Sequence, residues 1–254
     1  MKPSERLSAA ISAAPGKTAI VAFITAGYPR REKFREHLTQ IGNAADVVEI
    51  GVPFSDPMAD GVTIQRSSRE ALAQGFTLRW LLSELTAMQL PRAPLVLMSY
   101  LNPLMAYGFK ALAADAAKAG ICGFIVPDLP YDEGEEFRAA LDSTGVGLIQ
   151  MVTPVTRPER MARLCAASQG FVYAVTMTGT TGKTASVPAE VSGYLDRVTA
   201  AASLPVCAGF GIRSREQVEK LKGHVAGVIV GSALVEILES GKDPAEFLNS
   251  LRPS

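Results

Sequence analysis

Eight short apolar, β-branched runs recur along this chain of 254 residues, and longer stretches with helical spacing separate them. The runs are residues 19–25, 46–51, 95–100, 121–127, 146–152, 171–176, 204–209 and 226–230. Between them, Phe34, Leu38 and Ile41 fall at i, i+4, i+7, and Met161, Leu164 and Cys165 at i, i+3, i+4, the spacing of one buried helix face. Thr156-Arg157-Pro158-Glu159, Ser214-Arg215-Glu216-Gln217 and Asp243-Pro244-Ala245-Glu246 each set a capping oxygen three residues before Glu or Gln, so helices are predicted to start there. A strand followed by a crossover helix pairs parallel with the next strand, which makes the fold class α/β with helices outside a parallel sheet. Eight such units can lie open in a doubly wound sheet or close on themselves. The count, and the lack of any linker or composition shift, favour a single (β/α)8 TIM barrel over residues 1–254. An extra N-terminal helix, Ser4 to Ala14 with Leu7, Ile11 and Ala14 on one side, is predicted to precede the first strand.

Composition narrows the functions. The 25 basic and 25 acidic residues cancel, so no basic stripe points to nucleic acid and no polybasic cluster to a membrane surface. No apolar run reaches the ~18 residues of a transmembrane helix. Ser8, Ser12 and Pro15 interrupt the apolar residues near the N-terminus, so no signal-peptide core is expected there. Cys122, Cys165 and Cys207 are odd in number and widely spaced, the pattern of buried thiols in a reducing cytoplasm. The only histidines, His37 and His224, lack ligand-spaced partners, so histidine-ligated zinc and Ser-His-Asp hydrolysis are poor fits. Carboxylates are left to carry the chemistry.

The segment Glu49-Ile50-Gly51-Val52-Pro53-Phe54-Ser55-Asp56-Pro57-Met58-Ala59-Asp60-Gly61 places one carboxylate on the second apolar run, behind Val47 and Val48. Burial raises a carboxyl pKa, which suits a general acid or base near neutral pH. Asp60 ends the following loop and could fold back over Glu49. The alternative is a satisfied core acid plus a loop aspartate that caps the next helix. In a barrel, chemistry belongs at the C-terminal ends of the strands, and Glu49 meets that condition.

Three glycine clusters follow the last three strands. Gly209-Phe210-Gly211 ends the seventh, and Gly231-Ser232 ends the eighth and opens a helix. Glycine lets backbone N–H groups approach an anion, and a helix N-terminus adds a favourable dipole. Together the two loops predict a phosphate site. After the sixth strand, Thr178-Gly179-Thr180-Thr181-Gly182-Lys183-Thr184 ends like a P-loop, but Met177 stands where the earlier glycine is required. This stretch of small residues, continuing to about Val187, is expected to be a lid over substrate; an ordinary surface loop is the alternative.

These residues together resemble the tryptophan synthase alpha chain family across nearly the whole length. The likeness rests on Phe23, the segment from Glu49 to Gln65, Asn102-Pro103, Pro127-Asp128-Leu129-Pro130, Gly179 with Thr181 and Gly182, Gly209-Phe210-Gly211-Ile212 and Gly231-Ser232-Ala233. It implies retro-aldol cleavage of indole-3-glycerol phosphate to indole and glyceraldehyde 3-phosphate, the alpha half-reaction of L-tryptophan biosynthesis. It implies Glu49 as acid/base, Asp60 on the indole N–H and Tyr173 beside them. Phe23, Ile64, Met98, Tyr100, Leu129 and Phe210 would form an apolar indole pocket. Gly182, Gly211, Gly231 and Ser232 would hold the phosphate, with Gly179 and Thr181 in the lid and Thr181 tied to Asp60. No metal or cofactor is implied for this chain. The partner it implies is a pyridoxal-phosphate-bearing beta chain in an alpha2beta2 complex, docked near Pro53 to Met58 and Asn102-Pro103.

Leu101, Val62 and Tyr131-Asp132 depart from commoner forms of the family pattern, which affects pocket shape and loop packing but no carboxylate. A phosphosugar isomerase on the same barrel fits poorly, since Thr25-Ala26-Gly27 and Thr153-Pro154 stand where it would need an Asp pair. A non-catalytic barrel that only activates a partner fits poorly, since both carboxylates and Tyr173 are intact, whereas a lyase that releases free indole would share every residue named here.

Overall fold

In the computed structural model, described for residues 1–176, 189–209 and 211–253, all eight apolar runs are strands. They are β1 (Ala19–Thr25), β2 (Val47–Gly51), β3 (Leu95–Met98), β4 (Ile121–Ile125), β5 (Gly147–Val152), β6 (Val172–Val175), β7 (Val206–Gly209) and β8 (Gly227–Val230). Every neighbouring pair is parallel, and β8 pairs back onto β1 through Ala19↔Gly227 to Ala22↔Val230, so the sheet is a closed barrel in chain order. No strand end moves from its predicted place by more than two residues. Pro205 shortens β7, because it has no N–H for the ladder.

The helices in chain order are α1 (Pro3–Ser12), α2 (Phe34–Ala44), α3 (Val62–Ala73), α4 (Leu78–Ala87), α5 (Leu101–Tyr107) and α6 (Phe109–Lys118). They continue with α7 (Glu135–Asp142), α8 (Pro158–Ala167), α9 (Ala189–Ala201), α10 (Arg215–Leu221), α11 (Ser232–Glu239) and α12 (Pro244–Leu251). Alternation along each strand divides the core in two. Outward residues such as Ile20, Val48 and Leu97 pack against the helices, while inward Val21, Val47, Val96, Ile149 and Cys207 fill the barrel. The extra N-terminal helix lies under the barrel, where Leu7 and Ile11 join that inner cluster and plug its lower end.

Two predicted helix starts carry their side-chain bonds. Asp243 accepts the N–H groups of Ala245 and Glu246, and Gln217 accepts the Ser214 N–H. The third differs. Pro158 opens α8, so the capping position passes to Arg157, which has no acceptor, and Thr156 accepts the Thr153 N–H instead.

The chain end is fastened to the lower rim. Arg252 donates to both oxygens of buried Asp46, at 2.9 and 3.3 Å, and Asp46 also accepts the Ile20 N–H at 2.8 Å. Removing the guanidinium leaves a buried carboxylate short of its charge partner. Arg252→Ala is expected to cost about 3–5 kcal/mol of stability in urea unfolding, whereas removal of the exposed Lys33–Glu36 pair should leave the unfolding midpoint nearly unchanged. Equal losses from the two changes would sink this account of the C-terminal clamp.

Candidate active site

The upper mouth of the barrel opens into a cavity of about 650 Å³. Its lining includes Phe23, Glu49, Asp60, Ile64, Met98, Tyr173, Gly211, Gly231 and Ser232, nine of the residues singled out from sequence. Period two on the strands explains the gathering. Phe23 and Glu49 are register partners across β1 and β2, and Tyr173 sits between Met151 and Cys207 across β5, β6 and β7. The aromatics need bare backbone beside them. A Cβ on Gly51 would meet the Phe23 ring at 2.5 Å, and one on Gly209 would meet the Tyr173 hydroxyl at 2.8 Å.

Glu49 is only 1% exposed, and its Oε2 is sealed with no hydrogen-bond partner among the described residues. Burial, then the charge of Asp60, push its pKa from 4.5 to about 8. Asp60 is raised by burial from 3.8 to about 6, against the lowering effect of a hydrogen bond from Tyr100. The two carboxyls therefore release protons in separate steps, and between pH 6 and 8 the cavity holds an ionised Asp60 beside a protonated Glu49. Burial and these same two carboxyls hold the Tyr173 phenol well above its ordinary value, so it stays protonated.

The bland alternative fails for both acids. Glu49 is not a satisfied core acid. Nor does Asp60 cap α3: Gly61 occupies the cap position with no side-chain bond, and the Asp60 Oδ2 accepts the Tyr100 hydroxyl at 3.2 Å. Tyr100 also accepts the Ala59 N–H at 2.9 Å and stacks on Phe54, 5.2 Å between ring centroids. Gln65 donates to the Asp60 carbonyl at 2.8 Å, so the loop is held at both ends.

In the same cavity, Gly211, Gly231 and Ser232 line the wall where β7 and β8 end, and α11 starts there. The first N–H groups of a helix lack partners inside it, and they attract anions. No Lys or Arg is among the described lining residues, so an anion here would rest on backbone N–H groups and the Ser232 hydroxyl.

Two expected pocket residues sit elsewhere. Tyr100 is buried behind the Asp60 loop, and Leu129 lines a separate niche on the barrel flank. Phe210, Gly179, Thr181 and Gly182 lie outside the described residues. Met151, Val175 and Ile229 line the cavity without having been singled out, and Met58 and Thr153 line it although sequence reasoning assigned them no part in the pocket. Alternation could have found Met151, Thr153 and Val175, since they continue the inward positions of Ile149 and Tyr173. Among the described residues, no group of three or more His, Cys, Asp or Glu is placed to hold a metal ion, and no helix is long and apolar enough to cross a membrane.

Comparison with known proteins decides the family. The family model described as tryptophan synthase alpha chain matches residues 10–251. The chain belongs to the tryptophan synthase alpha chain family. The alpha chain of Nitratidesulfovibrio vulgaris is 45% identical over 239 residues, 93% of each chain. That of Bacillus mycoides is 42% identical over 89% of each. A structure of Mycobacterium tuberculosis tryptophan synthase matches with a TM-score of 0.88 at 35% identity, covering 97% of this chain and 96% of that one. The alpha subunit of Pyrococcus furiosus, solved as a mutant, matches at 0.82 and 35% identity over 92% and 97%. Members of the family cleave indole-3-glycerol phosphate, and membership implies a beta-chain partner.

The buried acid sets a pH-dependent stability. Folded Glu49 keeps its proton up to about pH 8, whereas the unfolded chain releases it near 4.5. The native state then binds more protons across that window, so stability falls as pH rises through it. Glu49→Gln should therefore gain on the parent chain between pH 5 and 9, by up to roughly 5 kcal/mol in urea unfolding. A constant difference between the two at all pH values would refute the raised pKa.

Proposed function

We propose that this chain cleaves indole-3-glycerol phosphate to indole and glyceraldehyde 3-phosphate, with Glu49 as acid/base and Asp60 on the indole N–H. The observation that carries the assignment is one largely apolar cavity lined by two carboxyls of different proton affinity and by a glycine-rich helix N-terminus. Protonated Glu49 gives its proton to C3 of the indole, which turns the ring into an electron sink. Positive charge develops at the ring nitrogen, and ionised Asp60 stabilises it through the N–H. The Glu49 carboxylate then takes the proton of the adjacent side-chain hydroxyl. The bond between C3 and that carbon breaks, its electron pair returns to the ring, and the hydroxyl carbon becomes the aldehyde. Glu49 ends as it began, protonated.

Tyr173, held neutral by burial and by the charges of both carboxyls, is assigned as a donor to these oxygens. Phe23, Ile64 and Met98 supply apolar walls for the ring, and Gly211, Gly231 and Ser232 the phosphate seat. Tyr100 acts behind Asp60, and Leu129 belongs to the neighbouring niche, so both shape the indole pocket from outside its surface. Gly182 and Phe210 remain assigned to phosphate and indole from the family pattern alone, as do Gly179 and Thr181 to the lid. No metal or cofactor enters these steps.

For the partner we propose a pyridoxal-phosphate-bearing beta chain in an alpha2beta2 complex. Met58, Val62, Met105 and Val155 are large, exposed apolar side chains, and all stand in segments that follow strand ends around the cavity mouth. Met58 belongs to the Pro53–Met58 region, and Met105 follows Asn102-Pro103 on α5. We also read residues 1–254 as one domain working in the cytoplasm, a reading supported by the single closed sheet and the three buried free thiols.

Indole release from indole-3-glycerol phosphate, followed with and without a beta chain, tests the whole reading. Slow release that rises sharply with the beta chain is expected; fast release by the chain alone would favour a lyase that frees indole, and none in either case would mean the substrate is wrong. Glu49→Gln should lower kcat at least 100-fold with the fold intact. The pH profile of kcat/KM should fall off below about 6 and above about 8. In Tyr100→Phe, Asp60 loses the hydrogen bond that lowers its pKa, so the acidic limb should move to higher pH. An unmoved limb would assign Tyr100 to packing only.

A further inference from the structure

A second niche of about 280 Å³ lies on the barrel flank, outside the sheet, between the segment after β4 and helix α8. About half of its surface is apolar, from Val126, Leu129, Leu148 and Leu164. Its floor is not. Gln150 alternates with inward Ile149 and Met151 on β5, so its side chain shares the outer face with Leu148 and lines the niche.

Gln150 is 7% exposed, and its backbone N–H is satisfied by the Ser168 hydroxyl. Among the described residues, its side-chain amide makes no hydrogen bond. The amide faces the niche, which leaves a donor and an acceptor free for something that enters it.

The neighbouring charges narrow what that something is. Arg160, the only cation among the described residues of the niche wall, donates to Asp132 at 2.9 Å, and Arg163 binds the other oxygen of Asp132 at 3.0 Å. The Asp128 Oδ1 accepts the Leu101 N–H at 2.8 Å. Arg160 is thus already committed to Asp132, and a carboxylate on Gln150 would satisfy the amide N–H₂ while leaving its carbonyl oxygen bare. A neutral group that presents N–H and C=O side by side satisfies both atoms at once through two parallel hydrogen bonds.

We infer that the niche floored by Gln150 is a binding site for a small neutral molecule with a primary amide or lactam edge on an apolar body. The volume suits a single six-membered ring carrying that edge. Pro127 and Met151 line both this niche and the catalytic cavity, so a bound molecule would press on a wall they share. The inference does not depend on the reaction assigned to that cavity.

Benzamide is the probe. Ligand-observed NMR titration of the full chain should give saturable binding with a Kd of roughly 0.1–1 mM, the range for a fragment of this size. N,N-dimethylbenzamide and benzoate should bind at least tenfold more weakly. Gln150→Leu should weaken benzamide by a similar factor, and Glu49→Gln should leave it unchanged. Leu164→Phe, which fills the niche while keeping Gln150, should abolish binding and provides the check if Gln150→Leu fails to fold. No saturable binding, equal binding of all three probes, or sensitivity to Glu49→Gln instead of the niche changes would overturn the proposal.

Discussion

Closure of β8 onto β1 is the constraint from which the site follows. Once Ala19 pairs with Gly227 and Ala22 with Val230, every strand has two neighbours and no freedom to slip, because a shift of one residue would turn its inward side chains outward. Glu49 then has no choice but to face the barrel interior. Small residues make the closure possible: a Cβ on Gly227 would meet the Ala19 Cβ at 3.1 Å and the Cys207 sulfur at 2.9 Å. With α1 plugging the lower end, water reaches the interior only from above, and burial there can hold a carboxyl protonated near neutral pH.

The two acids are tuned by different means, which lets one cavity offer both a proton donor and an anion. Glu49 sits on a rigid strand, deep and unpartnered, so desolvation dominates. Asp60 sits on a loop, and Tyr100 and Gln65 hold it against the barrel mouth while Tyr100 offsets part of its burial. A strand acid and a loop acid also differ in how far they can move.

Much of this was legible in the residues. Eight β-branched runs with helical spacing between them indicated the barrel, and a carboxylate behind Val47 and Val48 indicated a buried acid. The glycine pairs after the last two strands pointed to the anion seat by their order alone. Alternation would also have reached Thr153 and Val175, whose inward placement follows from Ile149 and Tyr173. The position of Tyr100 was less accessible. It ends the third apolar run and looks like one more pocket aromatic, but β3 stops at Met98 and the ring turns behind the Asp60 loop. Leu129 shows the same limit, since its loop turns outward after β4 and takes the side chain to the flank.

The sequence by itself determined the strand count, the parallel order, the acids and the glycines, because each of these is written in local spacing and residue type. Only the tertiary structure decided that Glu49 lacks a partner, that Asp60 bonds to Tyr100 instead of capping α3, and that Gln150 is left bare beneath α8. Those outcomes depend on which side chains arrive from distant elements, and hydrogen bonding and desolvation act through that proximity.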